Sequence, residues 1–159
     1  MLNPKKTEAI FFGTASRLRS SSPQHITLAG CIVRYVSSIH ILGVTLDSSL
    51  SMNKHVSITA ATCNTYLHSS IHVRSSLTTQ ASVLIARSLL TQVLTIANSL
   101  LYGTSALDFA KLQHVQNNLA RFVLKLPQFA SVRSSVKDLH WLRVHERVHC
   151  KVAPLTYSV

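Results

Sequence analysis

Residues 145–149, HERVH, fit the HExxH pattern, in which two histidines one helical turn apart hold zinc and the glutamate serves as base. A catalytic zinc also needs a third protein ligand, and the ten residues after His149 contain no His, Asp or Glu. Only Asp108, Asp138, Glu8 or a distant histidine could supply it, against the usual order. With nine histidines in the chain, three fixed positions are easily met by chance. The segment therefore reads as an exposed amphipathic helix with Arg147 and Lys151 on its polar side. His68 and His72 repeat the spacing with no third ligand nearby and read as surface histidines. The five acids (Glu8, Asp47, Asp108, Asp138, Glu146) include no adjacent Asp pair, whereas two-metal chemistry needs clustered carboxylates. The four glycines are isolated, so there is no phosphate-cradling loop. Triads are assembled in space, and nothing specific in the sequence supports one.

What stands out is positive charge. Sixteen Lys and Arg against five acids give +11 and a pI near 10.2, the balance a polyanion-binding surface requires. Residues 1–53 carry five basic and two acidic residues (net +3), residues 54–159 eleven and three (net +8). The charge is patterned on a helix expected over about Ser105 to Leu126. There Leu112, Val115, Leu119, Phe122 and Leu126 form an apolar stripe, and Lys111, His114, Asn118, Arg121 and Lys125 a second one. At about 100° per residue the stripes lie roughly a third of a turn apart. One face docks; its neighbour is either a phosphate-binding surface or an ordinary solvated face.

These residues need a folded frame, and 47% apolar content over 159 residues supplies one, as a single domain or two small lobes. The pivot is Ile39 to His55, before which the chain reads as strands and turns and after which as helix. Expected first are a strand over Ala9–Phe12 ended by Gly13, a Ser-rich loop through Arg17, Arg19 and Pro23, and a hairpin turning at Ala29-Gly30. Gly43 then interrupts the pivot strand as a bulge or close approach, and Asp47 closes it. From Lys54 the apolar period is helical through Val56, Ala60, Cys63, Leu67 and Ile71. A second helix, capped by Thr78 or Thr79 and ending near Gly103, is apolar on most sides and reads as the central helix of the second lobe. Pro127 ends the third helix. A loop with Arg133 follows, then a final amphipathic segment, KDLHWLRVHERVHCKV, anchored by Leu139, Trp141, Leu142, Val144 and Val148. The window Val83–Leu101 contains Arg87, Gln92 and Asn98, so a buried helix is expected there rather than a membrane span. Three widely spaced cysteines (Cys31, Cys63, Cys150) suggest neither disulfides nor a zinc ribbon, and the N-terminus has no signal-peptide core; an intracellular, nuclear or cytoplasmic setting is expected.

Five blocks, LNPKKTEAIFFG (2–13), ILGVTLDSSLSMNKH (41–55), ANSLLYG (97–103), LQHVQNNLARFVLKLP (112–127) and LHWLRVHERVHCKV (139–152), together resemble the C-terminal part of the reverse transcriptase of LINE-type (non-LTR, jockey-like) retrotransposons. The resemblance implies an α+β chain: a small antiparallel strand lobe (1–53), the end of a polymerase palm with a primer-grip-like hairpin, then a helical thumb-like bundle (54–159). It places Lys6 near the incoming nucleotide and gives Leu42, Gly43, Val44 and Asp47 a role at the primer end. With Lys6, the phosphate contacts expected are Lys111, Arg121 and Lys125, and the partners RNA, DNA or an RNA–DNA duplex, with the remaining polymerase domains. HERVH falls on a non-catalytic block of the family. The intact enzyme would use Mg2+, but its Tyr-x-Asp-Asp motif and other catalytic aspartate belong upstream of Leu2, so no cofactor and no polymerase activity are expected of this chain alone. Thr95, Ile96, Arg143 and Cys150 depart from the residues usual at their family positions. The alternative is a non-catalytic structural or interaction fragment of a decayed mobile element, with exposed strand edges and core face.

Overall fold

Two Xaa-Gly dipeptides shape the first part of the chain. In Ala29-Gly30 and Leu42-Gly43 both residues take positive φ (48° and 79°, 48° and 82°), the geometry of two-residue hairpin turns whose twist matches the strands they join. The computed structural model describes residues 3, 6–20, 23–94 and 100–157. They belong to two compact units, Met1–His55 and Val56–Val159. The chain is α+β.

In the first unit, β1 (Ala9–Ile10), β3 (Cys31–Val36) and β2 (His25–Leu28) form a sheet in that order, and β4 (Ser38–Ile41) pairs antiparallel with β5 (Val44–Asp47). The unit is not wholly antiparallel as expected: β1 runs parallel to β3, Ala9 opposite Tyr35. The return this needs contains α1 (Ala15–Ser20), where a loop was expected. Thr14 starts that helix by accepting the Arg17 amide on its hydroxyl (3.5 Å), and Ala, Arg and Leu are all good helix formers. Gly43 is not a bulge but the second turn residue, with Ile41 opposite Val44. The expected strand over Ala9–Phe12 is only Ala9–Ile10.

Below the hairpin, the Thr45 amide donates to His55 Nδ1 (3.3 Å) and the Thr45 hydroxyl meets His40 Nδ1 (3.2 Å). Burial, with the nearby His40 charge adding to it, holds His55 below the usual imidazole pKa. The unfolded chain therefore takes up a proton at His55 before the folded one does. The stability contributed is full above the unfolded value of about 6.5 and drains away as pH falls below it. Exchange protection of the Thr45 amide, corrected for the intrinsic rate, is expected to drop between pH 7.5 and 5.5. In His55→Gln the drop should disappear; a drop of the same size there would mean another group is responsible.

The second unit is helical: α2 (Asn53–Val73, entering from the first unit), α3 (Thr79–Leu94), α4 (Ala106–Leu124), α5 (Arg133–Asp138) and α6 (Val144–Tyr157). On α2, Val56, Cys63 and Leu67 are buried as the period requires, while Ile71 at the far end is half exposed. Burial pushes the Cys63 thiol up to about 11, so it is an inert core group. Thr78 caps α3 by accepting the Ala81 amide (3.2 Å). The central helix is α4, which packs against α3, α5 and α6, and not α3 as its composition suggested. Ser82, Ala86, Leu89 and Leu90 of α3 are buried, but Leu84 is 67% exposed. Apolar composition on every side did not mean burial on every side. Of the expected stretch past Leu94, residues 95–99, with Thr95, Ile96 and the start of the ANSLLYG block, lie outside the described residues, as does Leu2. No helix among the described residues is long and apolar enough to cross a membrane.

The last expected segment is also broken. The loop expected at Arg133 is α5, and Leu139–Arg143 separate it from α6. His140 takes φ 55°, its amide bonds Lys137 O (2.8 Å) and the Trp141 amide bonds Val136 O (3.0 Å). That is the closing pattern usually built on glycine.

Candidate nucleic-acid interface

Helix α4 is fixed at both ends before it presents anything to solvent. At its start the Ser105 hydroxyl accepts the Asp108 amide (3.2 Å) and donates to Asp108 Oδ2 (2.8 Å). Asp108 is buried, and its Oδ1 meets Lys111 Nζ at 3.1 Å. A carboxylate here also suits the positive end of the helix dipole. At its finish Arg74, buried at the end of α2, donates from Nε to Phe122 O (2.7 Å) and from a terminal nitrogen to Val123 O (2.6 Å). Its guanidinium also lies 5.5 Å from the Phe122 ring centroid. Helices leave their last carbonyls without partners, and Arg74 supplies them. Lys125 then closes α4 at φ 54°, with its own amide and that of Leu126 turned onto Arg121 O.

The apolar stripe docks as expected: Leu112, Val115, Leu119 and Phe122 are buried. The second stripe divides. Lys111 is tied to Asp108 and donates to the Ser57 hydroxyl (3.3 Å), leaving one of three ammonium protons uncommitted in these bonds. Toward the C-terminus, α2 and α4 leave between them a groove of about 680 Å³. Its rim and walls carry His68, His114, Arg121 and Lys125, its apolar lining is Leu67, Ile71, Phe122 and Leu126, and Asn64, Asn118 and Gln128 add amides. No carboxylate occurs among the described residues lining it.

Arg121 separates this groove from a second, of about 890 Å³, lined by Arg133, Lys137, His140 and Arg143, with Glu146 as its single acid among the described residues. The Arg121 guanidinium donates to Asn118 Oδ1 (3.1 Å) and Ala130 O (3.3 Å), while its Nε is buried with no partner among the described residues. Sequence reasoning missed Arg74 and the gathering of Arg133, Lys137 and Arg143, because no periodicity connects residues on different elements.

Lys6 and the hairpin lie in the other unit. Lys6 is exposed, its amide bonded to Asn3 O (3.0 Å). Leu42 stands at the hairpin tip, 90% exposed, with Gly43 beside it and Val44 buried below. Asp47 organises the turn toward α2, accepting the amides and hydroxyls of Ser49 and Ser51 at 2.6–3.0 Å. Partial burial raises its pKa, but those four hydrogen bonds outweigh that and leave the carboxyl below its usual value.

The HERVH residues are engaged otherwise. Glu146 Oε2 accepts the Arg143 amide (3.3 Å), the capping contact of a glutamate three residues into a helix. His145 and His149 meet on the exposed side of α6, Nε2 to Nε2 at 3.1 Å with their rings tilted by 46°, between the rings of Phe109 and Tyr102. No group of three or more His, Cys, Asp or Glu able to hold a metal occurs among the described residues. Compared with protein families, with curated proteins and with solved structures, the chain finds no match in any of the three.

Proposed function

We propose that these 159 residues are related to the LINE-type reverse transcriptase, corresponding to the end of a palm followed by a thumb, and that they bind RNA, DNA or their hybrid duplex through α4 with no polymerase activity by themselves. The five ordered sequence blocks support the family. The observation that carries the binding role is the groove beside α4, with Arg121, Lys125, His68 and His114 on its lining and no acid among the described lining residues. From Lys111 to Lys125 the stripe runs roughly 21 Å along the helix, about six nucleotide steps of a strand. The 159 residues hold no adjacent Asp pair, so the Mg2+-dependent chemistry of the intact family is assigned to none of them.

Lys125 lies in the groove lining and closes α4 in the left-handed conformation, which costs a lysine about 1 kcal/mol that glycine avoids. Lys125→Gly is therefore expected to stabilise the fold while weakening nucleic-acid binding. The test is a salt series on an RNA–DNA duplex with the K125G/R121Q variant. Affinity at low salt should fall at least tenfold, and the slope of log K against log[salt] should flatten by nearly 2. Unchanged affinity and slope would remove the assignment.

A second reading, an interaction fragment without a nucleic-acid ligand, is favoured by large apolar side chains at the surface: Phe129 (96% exposed), Leu107 (75%), Ile32 and Leu84 (67% each). It expects self-association that strengthens with salt and duplex binding indifferent to Arg121 and Lys125.

A further inference from the structure

We infer that the two grooves meeting at Arg121 form a path for a single strand, with one unpaired base seated between α2 and α4 and the adjoining backbone carried over Arg121 onto Arg133, Lys137 and Arg143. This deepens the reading above and rests on it; a basic helix face alone would serve a paired duplex equally well. The first groove has the anatomy of a base pocket: apolar contacts from Leu67, Ile71 and Phe122, amides from Asn64, Asn118 and Gln128, and cations confined to Arg74, Arg121 and Lys125. At about 680 Å³ it lies within the range of sites that take small organic molecules. A duplex presents no base face to such a groove, whereas a single strand combines a flat apolar base with a phosphate. The second groove differs. Five basic or imidazole side chains line it, Arg121 among them, against the one carboxylate of Glu146 among the described residues, and its apolar contacts, Val132, Val136, Trp141 and Leu142, are largely buried except for Leu142, which suits backbone more than a base. Arg121 forms a wall of both, and its Nε–H has no acceptor among the described residues.

The experiment compares a blunt duplex with the same duplex carrying a short single-stranded tail, by fluorescence anisotropy at fixed salt. The tail is expected to raise affinity about tenfold, within the range for stacking one base on a side chain. Ile71→Trp fills the first groove from a half-exposed position on α2, and His68→Trp does so from a neighbouring exposed one. Both should abolish the advantage of the tail, measured for each variant against its own blunt-duplex affinity. Arg133→Gln with Lys137→Gln should reduce the advantage without filling the first groove. A tail that adds nothing to a blunt duplex that does bind, or an advantage that survives I71W and H68W, overturns the path while leaving duplex binding by α4 in place. An advantage untouched by R133Q/K137Q removes the second groove from it. If neither substrate binds, the duplex-binding role fails with it.

Discussion

Arg74→Met is expected to destabilise the helical unit by about 3 kcal/mol, seen as a lower denaturation midpoint with little change in slope. Methionine keeps much of the apolar stem but none of the donors. Phe122 O and Val123 O would then be left inside the protein at the end of a helix, where each unsatisfied carbonyl costs about 1–3 kcal/mol. The 3.1 Å bond to Leu77 O, which steadies the turn between α2 and α3, goes as well. Lysine cannot span the two carbonyls as the guanidinium does, so R74K should recover only part of the loss. Because Arg74 joins both walls of the first groove, nucleic-acid affinity should fall in R74M even where the protein remains folded. A change within about 0.5 kcal/mol of wild type would show that the α4 carbonyls find other partners and that Arg74 does not hold the groove.

Lys111 presents the opposite case, a residue selected as a phosphate contact whose larger effect is expected on folding. Lys111→Met removes the cation facing Asp108, whose carboxylate is buried. Since the lysine side chain is 43% exposed, solvent screens the pair, and the expected cost is about 1–2 kcal/mol rather than the 3–5 of a fully buried pair. Asp108→Asn keeps the shape and the Ser105 contact without the charge, so K111M should cost much less in that background. The coupling in this double-mutant cycle should be about 1 kcal/mol. Additive effects would mean that the 3.1 Å contact contributes no pair energy and that Lys111 is available to a phosphate. The cycle also supplies the right background for binding work: neutralising Lys111 alone would confound a weakened α4 with a lost contact.

Local signals were legible where a local rule determined the structure. The hairpin at Ala29-Gly30, the three- and four-residue period of α2, and the extent of α4 all follow from positions a few residues apart. α1 was missed because its cap, Thr14, lies in a Ser-rich stretch that equally describes a loop. The break between α5 and α6 was missed because His140 takes a conformation for which the sequence offers no glycine. The basic stripe on α4 could be drawn in advance, but not its division. Lys111 turns to a buried acid, Lys125 reaches the groove from a left-handed residue, and Arg121 is shared by two grooves whose other walls are tens of residues away. Arg74 is the extreme case: its partners lie 48 and 49 residues on, and nothing in RSSLTTQ announces them. Charge in a sequence shows how many cations there are, and burial decides which are free to bind.

The two hairpin turns bear on the order of folding. At each, the first turn residue is one that resists the left-handed region, alanine in one and leucine in the other. Where Asn-Gly forms such a turn readily, a leucine there costs about 1 kcal/mol or more before any strand contact is made. A turn that is uphill in isolation is a poor place to begin, so nucleation is expected in the arms, around the buried Val33 and Val44, with the tips closing last. Asparagine at position 42 would then slow unfolding far more than it speeds folding, leaving its kinetic signature on one limb of the chevron.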